Sequence, residues 1–181
     1  MKKQVLFIQG AGEGAYEEDA KLANSLQDAL GIEYYVLYPK MPEEEDQDYE
    51  AWKAQISKEL AALNDKVFLV GHSLGTSMLL KYLAEEEIEK SVVGIFLIAA
   101  PYWGEGGWSV DQFILDEEHA SDLLQKLPIF FYHSRDDEVV PFAHLAKHAK
   151  KFPQATIREF DGRGHQFNND LSEIAADIKS L

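Results

Sequence analysis

The stretch Val-Phe-Leu-Val-Gly-His-Ser-Leu-Gly, residues 67–75, decides the fold prediction. Its four apolar residues are typical of a buried strand, and residues 77–83 behind it are typical of a helix. Between them stands Gly-x-Ser-x-Gly, the sequence of a tight strand-to-helix turn that exposes a central serine. Gly71 and Gly75 are needed there because a Cβ at either position would collide with the neighbouring strand or helix. Ser73 is therefore the candidate nucleophile, and the other sequence features are judged as its partners.

The rest of the chain alternates apolar runs with helical patterns. Strands are predicted at residues 5–8, 34–38, 67–70, 92–99, 128–133 and 155–160, and helices at 17–30, 49–63, 77–83, 142–151 and from 170 onward. Asp170 followed by Glu173 predicts a capping box at the start of the last helix. This alternation predicts a three-layer α/β fold, with a mostly parallel sheet of about six strands covered by helices on both faces. With 181 residues and no linker or repeat, one domain over residues 1–181 is expected.

Composition and charge narrow the function classes. The formal net charge of −15 argues against nucleic-acid binding and disfavours polyanionic substrates. Acidic runs at 43–48, 85–89 and 116–118 carry much of this charge and are expected to be solvated. The absence of cysteine excludes disulfides and a thiol nucleophile. The N-terminal apolar run is too short for a signal peptide, and no run approaches the roughly 18 residues of a membrane span. A cytoplasmic protein that does not bind membranes is predicted.

Three glycines, Gly10, Gly12 and Gly14, directly follow the first predicted strand. Their density indicates backbone that approaches another group closely. The predicted role is half of an oxyanion hole, with the Ala11 N–H as donor, and the alternative is an ordinary strand-to-helix turn. A dinucleotide-binding loop is disfavoured because the G-x-G-x-x-G spacing is absent.

A serine hydroxyl needs a base and the base needs an orienting acid, and six histidines are candidates for the base. In the α/β-hydrolase arrangement, which the Gly-x-Ser-x-Gly motif resembles, the acid follows the serine and the histidine comes last. His72 adjoins Ser73 and should point away from it. His119 falls in an irregular segment, and His133 precedes every candidate acid.

His144, His148 and His165 remain. The first two are four residues apart on one helix, a spacing that could bind a metal ion, but no third ligand is evident. We interpret them as surface histidines and predict no metal site. His165 lies in a glycine-flanked loop directly after the last strand, where a base could reach Ser73. His165 is therefore the predicted base.

The acid is expected in the loop after residues 128–133, which contains Asp136, Asp137 and Glu138. Asp137 is preferred because it stands at the strand end, followed by a hydrophobic turn into a helix. Asp136 is then a turn-stabilising residue. Asp137 would hold the tautomer of His165 and stabilise its imidazolium without taking the proton itself.

An aromatic, glycine-rich segment follows the strand at residues 92–99. It contains Tyr102, Trp103 and Trp108 and is too irregular for a helix or strand, so a minimal cap is predicted. Because ligands bind beyond the carboxyl ends of strands in open α/β sheets, these three residues are candidates for substrate binding. The alternative is aromatic packing that closes the sheet edge.

These motifs together resemble the α/β-hydrolase superfamily. More closely, the chain resembles the small, cap-poor serine hydrolases related to retinoblastoma-binding protein 9 and the bacterial YdeN-type proteins. The matching pieces run in family order over nearly the whole chain: Phe-Ile-Gln-Gly at 7–10, Met-Pro at 41–42 followed by Trp52, Gly-His-Ser-Leu-Gly at 71–75, Asp-Asp-x-x-Val-Pro at 136–141 and Gly-His at 164–165.

The resemblance implies a compact sheet that lacks the first two strands of larger hydrolases and a triad of Ser73, Asp137 and His165. It also implies an oxyanion hole formed by the backbone N–H groups of Leu74 and Ala11, and no cofactor. One departure is Gln9, where many α/β-hydrolases have histidine. The predicted function is carboxylesterase-like hydrolysis of a small-molecule acyl substrate, an ester, thioester or amide. The alternative is a module that binds a protein partner on a hydrolase scaffold.

Overall fold

The structure, a computed structural model, describes residues 2–42, 47–115 and 122–181. Strands and helices alternate along these ranges. The strands are β1 (Lys3–Ile8), β2 (Tyr34–Leu37), β3 (Lys66–His72), β4 (Ser91–Ile98), β5 (Ile129–Ser134) and β6 (Thr156–Phe160). The helices are α1 (Ala15–Leu30), α2 (Tyr49–Ala62), α3 (Leu74–Glu85), α4 (Asp122–Lys126), α5 (Ala143–Lys151) and α6 (Ser172–Lys179). Short 3-10 turns cover Asp111–Phe113 and Phe167–Asn169.

The six strands form one sheet in the order β2-β1-β3-β4-β5-β6, and every neighbouring pair is parallel. Because all strands run the same way, their carboxyl ends meet at one edge. The segments that follow β1, β3, β5 and β6 therefore emerge at the same edge, β1 beside β3 and β5 beside β6. The predicted parallel sheet covered on both faces is confirmed.

Side chains of each strand alternate between two apolar layers. Along β1, Leu6 and Ile8 pack into a core shared with α2, α3 and α5. Val5 and Phe7 face the opposite core, which α1 and α6 close. The strands read as continuous apolar runs because both of their faces are buried.

The starts of α3 and α6 differ from the sequence prediction for identifiable reasons. Helix α3 begins at Leu74, three residues earlier than predicted, because the turn after Ser73 is already helical. Helix α6 begins at Ser172, since the chain first makes the 3-10 turn Phe167–Asn169. The predicted capping box is not formed: Asp170 Oδ1 accepts from the Ser172 N–H at 3.0 Å, and Glu173 instead pairs with Arg163.

The acidic residues at 43–46 and 116–118, and His119, lie outside the described residues. The acidic run at 85–89 is described, and its glutamates are exposed or half-buried, as predicted. None of the helices in the described ranges combines the length and the hydropathy that crossing a bilayer requires.

Candidate active site

Ser73 stands at the corner between β3 and α3. Its backbone has φ 50° and ψ −124°, a strained conformation for a residue with a side chain. The Ser73 N–H donates to the Ile98 carbonyl at 2.9 Å, and the Ser73 carbonyl accepts from the N–H and the hydroxyl of Thr76 at 3.0 and 2.7 Å. These bonds hold the corner from both sides, and the Ser73 side chain is left half-buried at the sheet edge.

Glycine is required on both sides of this corner, as predicted. A Cβ on Gly71 would lie 2.9 Å from the Thr76 nitrogen, inside van der Waals contact. A Cβ on Gly75 would collide with the carbonyl oxygens of Ile8 and Gln9 at the end of β1. The first turn of α3 can therefore pack directly against β1.

The glycine-rich segment after β1 lies beside the serine. A Cβ on Gly10 would be 3.2 Å from Ser73 Cβ, and the Gly10 N–H donates to Asp19 Oδ2 at 2.7 Å. Ala11, the predicted oxyanion donor, is the next residue. Leu74, the second predicted donor, is the first residue of α3, where backbone N–H groups have no acceptor within the helix. Leu74 thus follows Ser73 along the chain. Ala11 follows Gly10, the residue that lies against Ser73, while the role of both as oxyanion donors stays a prediction.

Gln9, the departure from many α/β-hydrolases, is fully buried. Its Oε1 accepts from the Met41 N–H at 3.1 Å, so the side chain links the end of β1 to the segment after β2. Within the described residues its Nε2 has no hydrogen-bond partner. The Met-Pro segment and Gln9 are therefore neighbours, although they are far apart in sequence.

Asp137 lies buried in the loop after β5. Its Oδ1 accepts from the backbone N–H groups of Val139 and Val140 at 2.9 and 2.8 Å. Both carboxylate oxygens lie 3.0 Å from His165 Nδ1. Burial alone would raise the pKa of Asp137, but the hydrogen bonds from His133 and His165, with the charge of His165, hold that pKa well below its usual range.

The acid loop and the histidine loop are also joined by their neighbours. Asp136 Oδ1 accepts from the backbone N–H groups of Arg163 and Gly164 at 3.2 and 3.3 Å. Glu138 Oε2 accepts from the His165 N–H at 3.1 Å. Asp136, predicted to stabilise a turn, thus anchors the loop that carries His165, while Asp137 contacts the imidazole.

The loop with His165 is also tied to the serine corner. His72 Nε2 donates to the His165 carbonyl at 3.0 Å, and the two imidazole rings are 4.8 Å apart. After His165, the residues Phe167–Asn169 all have positive φ, which turns the chain left-handed and drives Phe167 into the core. That turn ends the loop and fixes its length.

Three residues outside the predicted site complete the surroundings: His133, Asp19 and Gln166. His133 is buried with Nε2 3.2 Å from Asp137 Oδ2, a second histidine on the same carboxylate. Asp19 is buried against His72 and Gln166, and it contacts both. Asp19 had a sequence signal: unlike the two exposed glutamates before it, it stands three residues before Leu22 and seven before Leu26, on the apolar face of α1.

His144 and His148 are buried, so the interpretation as surface histidines is wrong. Helix α5 turns them toward the segment after β4, where His144 Nδ1 accepts from the Tyr102 N–H at 2.9 Å. His148 Nε2 donates to the Pro101 carbonyl at 3.2 Å, and its ring stacks on Phe131. Among the described residues, no cluster of three or more His, Cys, Asp or Glu side chains could hold a metal ion.

The aromatic segment packs against helices on one side of the sheet. Trp103 Nε1 donates to the Ser77 hydroxyl at 2.7 Å, and the Trp103 and Trp108 rings are 5.3 Å apart. Trp108 also meets the His144 ring at 5.4 Å, and Tyr102 is half-buried beside His148. These contacts describe packing, and substrate binding by Tyr102, Trp103 and Trp108 stays a prediction.

Comparison with solved structures places this architecture among known folds. The ydeN gene product of B. subtilis matches with a TM-score of 0.73 and 23% identity, over 99% of this chain and 98% of that chain. SOBER1 of Arabidopsis thaliana matches with a TM-score of 0.70 and 17% identity, over 99% of each chain. Est1E of Butyrivibrio proteoclasticus matches with a TM-score of 0.68 and 16% identity, over 99% of this chain and 86% of that chain.

Sequence comparisons address the family. Comparison with curated proteins gives no significant match. The family model described as serine hydrolase matches residues 24–171, which is most of the chain. That range contains the Gly-x-Ser-x-Gly corner and both loops that meet at Asp137 and His165. The chain therefore belongs to the serine hydrolase family and has the fold of a small α/β-hydrolase.

Proposed function

We propose that the chain cleaves a small ester, thioester or amide through an acyl-enzyme on Ser73, with His165 as base and Asp137 as orienting acid. The observation that carries this proposal is the position of the His165 imidazole. Its Nδ1 lies 3.0 Å from both oxygens of buried Asp137, and its backbone carbonyl is bonded to His72, the residue before Ser73. This pairing leaves Nε2 as the ring nitrogen free to take a proton.

In the first step the Ser73 oxygen attacks the acyl carbon while its proton passes to His165 Nε2. The carbonyl π pair moves to the oxygen, and the tetrahedral oxyanion is stabilised by the N–H groups of Ala11 and Leu74 and by the N-terminus of α3. Collapse returns that pair, and the leaving group departs with the proton from His165. A water molecule, deprotonated by His165, then attacks the ester on Ser73. The second tetrahedral intermediate collapses, the bond between the acyl carbon and the Ser73 oxygen breaks, and His165 returns the proton to Ser73 as the acid leaves.

Asp137 keeps a proton on His165 Nδ1 and stabilises the imidazolium that forms in each step. Its low pKa means that the carboxylate is charged throughout the neutral range. The bonds from the Val139 and Val140 N–H groups to Oδ1 help to hold the carboxylate in its orientation toward the imidazole. This arrangement accounts for the choice of Asp137 over Asp136.

The test is labelling with a fluorophosphonate probe, which reacts with activated serines. The wild-type protein is expected to be labelled on Ser73, and Ser73→Ala is expected to lose labelling and ester hydrolysis. Ser77→Ala is the matched control, because Ser77 lies one turn further along α3 and is bonded to Trp103. Labelling that survives in Ser73→Ala would overturn the assignment.

Substrate size is tested with p-nitrophenyl esters of increasing acyl length. If Trp103 and Trp108 limit the acyl pocket, Trp108→Ala should shift the preferred length upward and leave labelling by a small probe unchanged. A wild-type protein that neither reacts with the probe nor hydrolyses any ester would instead favour the protein-binding alternative.

A further inference from the structure

Asp19 joins three segments around Ser73 although it belongs to helix α1. Its Oδ2 accepts from the Gly10 N–H at 2.7 Å and lies 2.9 Å from His72 Nδ1. Its Oδ1 accepts from Gln166 Nε2 at 2.6 Å. The segment after β1, the serine corner and the histidine loop thus meet on a single carboxylate that is 2% exposed.

His72 continues this network on its other ring nitrogen. Nε2 must carry a proton, because its partner is the His165 carbonyl at 3.0 Å, which can only accept. Nδ1 faces Asp19, a carboxylate that already receives two other donors and is therefore best satisfied when ionised. With acceptors at both nitrogens, the imidazole bonds to both only when it is doubly protonated.

A buried charge is tolerated only when it is paired and hydrogen-bonded, and each partner here fulfils that condition for the other. Burial would lower the pKa of His72, but the Asp19 charge and the bonds to Asp19 and His165 raise it above its usual value. Burial would raise the pKa of Asp19, but the charge and bonds of His72, with those of Gly10 and Gln166, lower it. Both pKa shifts favour the charged form of each residue, and the hydrogen-bond arrangement favours the same forms.

We propose that Asp19 and His72 form a buried ion pair. Its hydrogen bonds position the segment after β1, which contains the predicted oxyanion donor Ala11, and the loop that carries His165 around Ser73. Asp19 and His72 are positioning residues in this account, since they act through Gly10, His165 and Gln166. The role in catalysis rests on the function proposed above, whereas the ion pair itself does not.

The mechanism gives this pair a defined task. The Ala11 N–H follows Gly10, so the Gly10–Asp19 bond sets where that donor lies relative to Ser73. The His72–His165 bond holds the backbone of the base while Asp137 holds its ring. A donor or base displaced by about 1 Å can lose on the order of 100-fold in its effect on the transition state.

The first experiment reads the ion pair directly and needs no activity. Histidine side-chain ¹⁵N NMR of the wild-type protein at pH 7.5 is expected to find both ring nitrogens of His72 protonated, with the signals assigned by their absence in His72→Gln. In Asp19→Asn, His72 should lose the proton on Nδ1 and keep the one on Nε2. A neutral His72 in the wild-type protein at pH 7.5 would overturn the ion pair.

The second experiment reads the positioning role. Asp19→Asn is expected to lower the fluorophosphonate labelling rate and kcat for a p-nitrophenyl ester by roughly 10–100-fold, the range typical of lost outer hydrogen bonds, with KM nearly unchanged. Because both residues act as one unit, Asp19→Asn/His72→Gln should be no slower than the slower single variant. Additive losses, or a loss in KM alone, would contradict the positioning role.

Asp177→Asn is the matched control. Asp177 is also a carboxylate that links elements, since it accepts from the Tyr132 hydroxyl at 2.8 Å and pairs with Arg158, but it lies on α6. The Asp177→Asn variant should be less stable than the wild-type protein, but its folded molecules should be labelled at the same rate. If the wild-type protein is not labelled at all, the proposed hydrolase function fails, while the NMR result still decides whether the ion pair exists.

Discussion

At the scale of the residue, single atoms fix the backbone around Ser73. The sequence predicted that Gly71 and Gly75 admit no Cβ, and the structure names what each would strike: the Thr76 nitrogen, and the carbonyl oxygens of Ile8 and Gln9. Backbone atoms cannot move aside as the end of a flexible side chain can. The two glycines of the motif are therefore needed for close packing of α3 against β1 and β3, in addition to exposing Ser73.

The change Gly75→Ala tests that packing. In an unobstructed helix, replacing glycine by alanine would stabilise the protein by up to about 1 kcal/mol. A loss of stability would therefore be due to the collision. We expect Gly75→Ala to lower the free energy of unfolding by about 1–3 kcal/mol, the usual cost of overpacking, measured by urea denaturation.

Gly31→Ala is the control for this change. Gly31 has φ 81° with no atom near its missing Cβ, so alanine there meets backbone strain without a collision. A loss of about 1–3 kcal/mol is expected there from the strain alone. A Gly75→Ala protein as stable as the wild type would contradict the packing account.

At the scale of the element, helix α5 was predicted in extent but misread in orientation. Its two histidines looked like surface residues because histidine is polar and the helix is rich in lysine. The segment after β4 brings backbone groups that bond to both rings, an N–H for His144 and a carbonyl for His148. Such partners are distant in sequence, so no local pattern could reveal them.

Burial of His148 predicts a pH-dependent stability for the helix it anchors. Burial lowers the pKa of His148 to about 3, since Nδ1 has no partner within the described residues and a charge there would be desolvated. The unfolded chain takes up this proton near pH 6.5, whereas the folded chain does so only near pH 3. The stability from neutral His148 is therefore complete above pH 6.5 and is lost as the pH falls toward 3.

We expect the wild-type protein to lose stability relative to His148→Gln over that interval, at up to about 1.4 kcal/mol per pH unit. Glutamine can still donate to the Pro101 carbonyl but does not titrate, so it leaves the hydrogen bond in place. Urea denaturation of both proteins at several pH values between 3 and 7.5 gives the difference. A constant difference across that range would show that His148 does not titrate on unfolding.

At the scale of the whole molecule, the order of elements was predictable because buried parallel strands read as apolar runs. The candidate nucleophile, base and acid followed from the residues that come after β3, β6 and β5. The network of Asp19, His72 and Gln166 did not, because α1 and the histidine loop are separated by most of the chain. A sequence pattern indicates which side of a helix or strand is buried, but it does not indicate which other element packs against that side.

The last prediction belongs to this scale, because it depends on the summed charge. With a net charge of −15, the protein repels anions at long range, and at about 0.01 M ionic strength this repulsion extends over roughly 30 Å. We expect kcat/KM for an ester with a free carboxylate, such as mono-p-nitrophenyl succinate, to rise several-fold between about 0.01 and 0.3 M NaCl. The neutral p-nitrophenyl butyrate is the matched control and should change little, since screening acts only on charge. Equal salt dependence for the two esters would mean that repulsion by the net charge does not affect the site, and that local groups govern which acyl chains approach Ser73.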